Sequence, residues 1–144
     1  MGLTGQNFIG AERGSNNSRF QAQDPSTGAL LEPHFAIAST ADVDRACGLA
    51  DAAFDTFRNL PLSTRATFLE AIAAGILEIG DDLIERGHQE TGLPKPRLQG
   101  ERGRTVGQLR MFADLIREGA FQDKRAIEAD PNREPMPRPR LEIR

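Results

Sequence analysis

The stretch "ETGLPKPRLQGERGRTVGQLRMF", Glu90–Phe112, is the one whose reading decides the fold. Pro94 and Pro96 punctuate its start. Gly100, Gly103 and Gly107 then fall inside what looks like a helix, and Arg97, Arg102, Arg104 and Arg110 crowd the same window. A phosphate-binding loop needs a strand, a glycine-rich turn and then a helix. Here "LPKP" precedes "GERGRTVG", no Lys-Ser/Thr follows, and the G-x-G-x-x-G spacing is missing. Helical geometry fits better. At about 100° per residue, Leu98, Thr105, Val106, Leu109, Phe112, Ala113 and Ile116 share one stripe. The three glycines gather on roughly the opposite side, with Arg104 and Met111 beside them. Each interior glycine forgoes about 0.8–1.0 kcal/mol relative to Ala, so a glycine face signals a close approach of another backbone or of a ligand. Close helix packing is the plainer of these two expectations. The sharper one is a shallow wall of a substrate channel formed by Gly100, Gly103 and Gly107, with Arg104 as a cation at its rim. Arg102 falls on the apolar stripe, where a guanidinium needs a carboxylate or carbonyls around it. A structural ion pair is the expectation there. Arg97 and Arg104 lie four and three residues from Glu101, within reach of local pairing.

Working outward, this helix spans Arg97 to Gly119 and is the fourth of a series. The first starts at Ser39-Thr40, where the period changes to Val43, Ala46, Cys47, Ala50, Ala53, Phe54 and Phe57. Ser39 or Thr40 caps it, with Asp42 and Asp44 at the positive end of its dipole. Ser63 is expected to cap a second helix carrying Ala66, Leu69, Ile72, Ala73 and Ile76, which Gly80 stops. Asp81–Gly92 makes a short third helix, ended by Gly92 and Pro94. Upstream, "NFIGAE" (Asn7–Glu12), "RFQAQD" (Arg19–Asp24) and "ALLEPHFAIA" (Ala29–Ala38) read as short strands of an antiparallel meander. They are joined by the polar loop "RGSNNS" and the turn "DPSTG". Downstream, "DPNREPMPRPR" (Asp130–Arg140) has four prolines and excludes helix or central strand. "LEIR" then alternates like the beginning of a strand.

Composition excludes several function classes. The chain has 144 residues and a formal net charge of −3, so no global field draws nucleic acid or an anionic membrane. It contains no Trp or Tyr to stack on bases. The tail from Lys124 onward mixes basic with acidic residues and is no cationic arm. A single cysteine rules out an internal disulfide, and two distant histidines argue against a Cys/His zinc site. Cys47 sits within the apolar stripe of the first helix without a nearby histidine, so it reads as core filler rather than a nucleophile. His34 and His88 have no identifiable triad partners and read as surface or loop residues. There is no apolar stretch of membrane-spanning length and no secretory signal pattern, so the expected location is cytoplasmic.

In order, "NFIGAE", "FQAQDPSTGALL", "STADVDRACGLADAAFDTFRNLPLSTRATFLEAIAAGI" and "LIERGHQETGLP" resemble the N-terminus of the aldehyde dehydrogenase superfamily. That pattern is a strand with Ile-Gly-Gly, an Asn-Pro-x-Thr-Gly turn, an Asp-Val-x-x-Ala helix, an Arg-x-x-x-Leu helix and a Glu-x-Gly-x-Pro end. Ala11 stands for the second Gly and Asp24 for the Asn. The stretch Glu90–Ala120 is most similar to the branch oxidising α-ketoglutarate semialdehyde (2,5-dioxopentanoate).

The resemblance implies an α/β parent fold, of which this chain matches the first quarter to third. Residues 1–38 would supply N-terminal strands, and 39–120 the helical part of the cofactor-binding domain. Residues 121–144 would supply a Pro-rich linker and the start of a bridging, oligomer-forming strand, truncated before the Rossmann-type sheet. It further implies NAD or NADP as cofactor and a homo-oligomer in the full-length parent, with no cofactor expected to bind this chain. The oxyanion Asn, the nucleotide-binding Lys and Gly-rich turn, the general-base Glu and the nucleophilic Cys would all come later. No catalytic residue is therefore assigned here, and Cys47 is not the family nucleophile. In the family the exposed face of the fourth helix lines the substrate entrance, which matches Gly100, Gly103, Arg104 and Gly107. The rival expectation is a free-standing helical protein-interaction module derived from a truncated dehydrogenase.

Overall fold

The computed structural model describes residues 2–14 and 18–143. Among these residues, six short strands flank four helices: β1 Asn7–Ile9, β2 Glu12–Gly14, β3 Arg19–Gln23, β4 Leu30–Ala36, α1 Thr40–Arg58, α2 Leu62–Ile79, α3 Asp81–Thr91, α4 Lys95–Glu118, β5 Arg125–Ile127 and β6 Leu141–Ile143. A single 3-10 turn, Ala120–Gln122, follows α4.

The expected single meander is instead a pair of separate antiparallel hairpins, β1–β2 and β3–β4. The reason lies at Gly10, whose φ of 60° lets the chain reverse within two residues. Ile9 therefore faces Glu12 across a tight turn, and "NFIGAE" is a bend rather than one strand. Residues 15–17 of the expected loop "RGSNNS" lie outside the described residues. The turn at "DPSTG" forms as expected: Asp24 Oδ1 accepts from the Ser26 N–H at 2.7 Å, and the Gly28 N–H donates to the Asp24 carbonyl. Downstream, β6 begins as its alternation predicts. It pairs with β5, which the sequence reading leaves unassigned.

Helix ends follow local chemistry. Ser39 caps α1 in a reciprocal box, with the Asp42 carboxylate accepting from the Ser39 N–H at 2.9 Å and Ser39 Oγ accepting from the Asp42 N–H at 3.2 Å. Ser63 does not cap α2. The helix begins two residues earlier, at Leu62, with Pro61 at the cap position and no side-chain cap hydrogen bond. Pro61 has its φ fixed at −51° by the ring and takes an extended ψ of 143°, so the helix starts directly after it and the serine becomes an ordinary first-turn residue. Gly80 closes α2 and opens α3 at a φ of 63°, which makes one residue serve both ends. Gly92 and Gly119 end α3 and α4 in left-handed caps.

The core is the contact between α2 and α4. Ala66 and Ala73 of α2, with Val106 and Ala113 of α4, are buried. The two helices run antiparallel, because Arg102 near the start of α4 meets Gly80 at the end of α2, and Arg117 near the end of α4 meets Glu70 of α2. α3 folds back against α4, with Ile84 buried and Leu98 seated over Gly87.

Arg102 is the structural cation its stripe position predicts. Its Nη1 donates to the Gly80 carbonyl at 2.7 Å and lies 3.8 Å from the Asp81 carboxylate. It thereby satisfies a helix-terminal carbonyl that α2 leaves open. Replacing Arg102 with Met keeps the stem but removes the donor. The expected loss is about 1.5–3 kcal/mol, the usual worth of a charged hydrogen bond, seen as a lower urea midpoint, with Arg102→Lys recovering part of it.

Candidate functional site

α4 presents two faces of opposite character. Leu98, Arg102, Val106, Leu109, Ala113 and Ile116 turn toward α2 and α3. Thr105 and Phe112, expected on the same stripe, are exposed, because the contact is centred on the Val106–Ala113 side. The other face carries Gly100, Gly103, Arg104, Gly107 and Met111, all exposed. A Cβ added at any of the three glycines meets nothing within 4 Å. Close helix packing, the plainer expectation for these glycines, therefore has no partner among the described residues, and the face is bare.

Arg104 is the cation beside the glycines that the sequence singles out. It is held in place by Glu101, with Nε and Nη2 both donating to Glu101 Oε2 at 2.9 and 2.7 Å. That hydrogen bonding, with the guanidinium charge behind it, keeps the Glu101 carboxyl below its ordinary range. The pair fixes Arg104 along the helix, while most of its side chain remains open to solvent.

The face does not suit a nicotinamide cofactor's pyrophosphate. The glycines lie within α4, where their N–H groups belong to the helix rather than to a phosphate-cradling turn. The start of α4 is no better suited. Pro96 in its first turn has no N–H to offer, and the Lys95 ammonium is paired with Glu85.

The other candidates separate cleanly. Cys47, expected in a core, is exposed, and no residue of α1 is buried. The helix's apolar stripe is real, but apart from the contact of Phe57 with Phe68 of α2 it stays largely open among the described residues. His34 is a surface residue as expected, on β4, and lies 3.4 Å from Glu32. His88 is half-buried in the last turn of α3, where Nδ1 donates to the Leu93 carbonyl at 2.7 Å and secures the chain leaving the helix. Among the described residues no group of three or more His, Cys, Asp or Glu can hold a metal ion, and no helix is long and apolar enough to cross a membrane.

Sequence reasoning passes over Arg86. It donates to the Glu32 carbonyl of β4 and to Glu90, and stands over the Phe35 ring at 5.4 Å. Only tertiary proximity could reveal it, since Glu32 is 54 residues away. Beside it lies an open cavity of about 580 Å³, lined largely by apolar groups including Leu3, Pro33, Ile79 and Leu83.

The order of elements, from the β-hairpins to the bare-faced α4, agrees with the resemblance noted in the sequence. The model of the aldehyde dehydrogenase family matches residues 12–138. The chain belongs to the aldehyde dehydrogenase family. It is 53% identical to "Alpha-ketoglutaric semialdehyde dehydrogenase 2" of Azospirillum brasilense over 99% of its own length. It is 42% identical over 93% of its length to "Alpha-ketoglutaric semialdehyde dehydrogenase" of Acinetobacter baylyi. A more distant relative is "Succinate-semialdehyde dehydrogenase [NADP(+)] 2" of Schizosaccharomyces pombe, 31% identical over 68% of this chain. The chain spans 28%, 26% and 20% of the length of these three proteins.

Two outcomes follow for this aldehyde dehydrogenase segment. Since the glycine face is open, Gly100→Ala, Gly103→Ala and Gly107→Ala together should raise helix stability by roughly 2–3 kcal/mol from propensity alone, read as a higher urea midpoint of the 144-residue chain. The second concerns acid. Hydrogen bonds from the Arg117 guanidinium hold Glu70 below the ordinary carboxylate range, those from the Lys95 ammonium do the same for Glu85, and the Ser39 N–H lowers Asp42. In the window between folded and unfolded values the unfolded chain binds more protons. Their contribution is therefore complete above the ordinary carboxylate range and declines as pH falls through the lowered folded values. Denaturation midpoints should drop as pH falls below about 4, and Glu70→Gln should flatten that drop.

Proposed function

We propose that this chain is the N-terminal segment of an NAD(P)-dependent aldehyde dehydrogenase that oxidises α-ketoglutarate semialdehyde to α-ketoglutarate, and that by itself it is inactive. The observation carrying this reading is the 53% identity to the Azospirillum brasilense enzyme across 99% of this chain, combined with a span of 28% of that enzyme. The similarity of the Acinetobacter baylyi protein, also named for α-ketoglutaric semialdehyde, supports the same substrate class. The reading carries with it the homo-oligomeric assembly, the cytoplasmic location and the division at residues 38 and 120 expected from the sequence.

The helical layer supports it physically. α2 packs on α4 through Ala66 and Ala73, yet Phe68, Ile72 and Ile79 form a second apolar stripe on its other side. Phe57 of α1 meets Phe68 edge to ring at 5.7 Å, and Phe54, 60% exposed, extends the patch. A helix apolar on both sides belongs inside a larger core. The remaining length of such a dehydrogenase offers the surface to cover it.

Within that reading, the bare face of α4 is the wall of the substrate entrance. Its small residues leave room for the semialdehyde, and Arg104 supplies a cation for the substrate's terminal carboxylate. Glu101 holds that cation in a fixed direction and moderates its charge.

The isolated chain should show no aldehyde oxidation with NAD or NADP, and measurable turnover would overturn the reading. In the full-length enzyme, Arg104→Ala should raise KM for the carboxylate-bearing semialdehyde about tenfold, equivalent to about 1.4 kcal/mol, and leave KM for a neutral aldehyde unchanged. Equal effects on the two substrates would remove Arg104 from substrate recognition.

A further inference from the structure

We draw no further inference here: the strongest candidate, the exposed apolar patch that Phe54 and Phe57 of α1 share with Phe68 and Ile72 of α2, is already accounted for by the proposed reading, and nothing in the structure shows any other occupant.

Discussion

The antiparallel seam between α2 and α4 is the contact on which the rest of the chain depends. Its residues are small: Ala66, Ala73 and Ala113 have no exposed surface at all, and Val106 is nearly as buried. Small side chains let two helices approach closely, and close approach maximises dispersion contacts per residue. Cations tie both ends. Arg102 reaches the Gly80 carbonyl at one, and Arg117 reaches Glu70 at 2.9 Å at the other. Exposed pairs such as Arg117–Glu70 contribute little by themselves. Their value here is in fixing how far along one helix the other sits.

From that seam the remaining elements take their places. Gly80 turns the chain sharply enough for α3 to fold back on α4. α3 in turn holds the β3–β4 hairpin through Arg86, and Pro25 of the "DPSTG" turn stands against Gly92. The seam also sorts the arginines of α4. Arg102 lies on the buried side and is consumed by helix termini, whereas Arg104, two residues on, is carried to the open side. The two differ in environment rather than in chemistry. That division leaves Arg104 open to solvent and Arg102 committed to the fold.

Much of this was legible in the sequence. Helix existence and most helix ends were readable because periodicity, caps and the stop glycines act within a few residues; the starts of α2 and α4, where Pro61 and Pro94 take the cap position, were not. The box at Ser39 and Asp42 and the left-handed caps at Gly92 and Gly119 are of this kind. The stripe position of Arg102 predicted a structural partner correctly, although that partner proved to be mainly a backbone carbonyl. Strand pairing was less legible. β5 has only three residues, and its partner β6 is separated from it by the whole Pro-rich stretch, so no local pattern announces it. The reversal at Gly10 was hidden because a two-residue turn barely interrupts an apolar run.

The sequence by itself determined the family, the four helices, the bare glycine face and the cation beside it, since each rests on residue identity and on spacing along one element. Only the tertiary structure decided which apolar faces are covered. Cys47, Phe112 and the α1 stripe have the pattern of buried residues and are exposed. Periodicity states which side of a helix prefers to leave water. Whether it does so depends on another surface arriving there, and that surface is set by contacts distant in the chain.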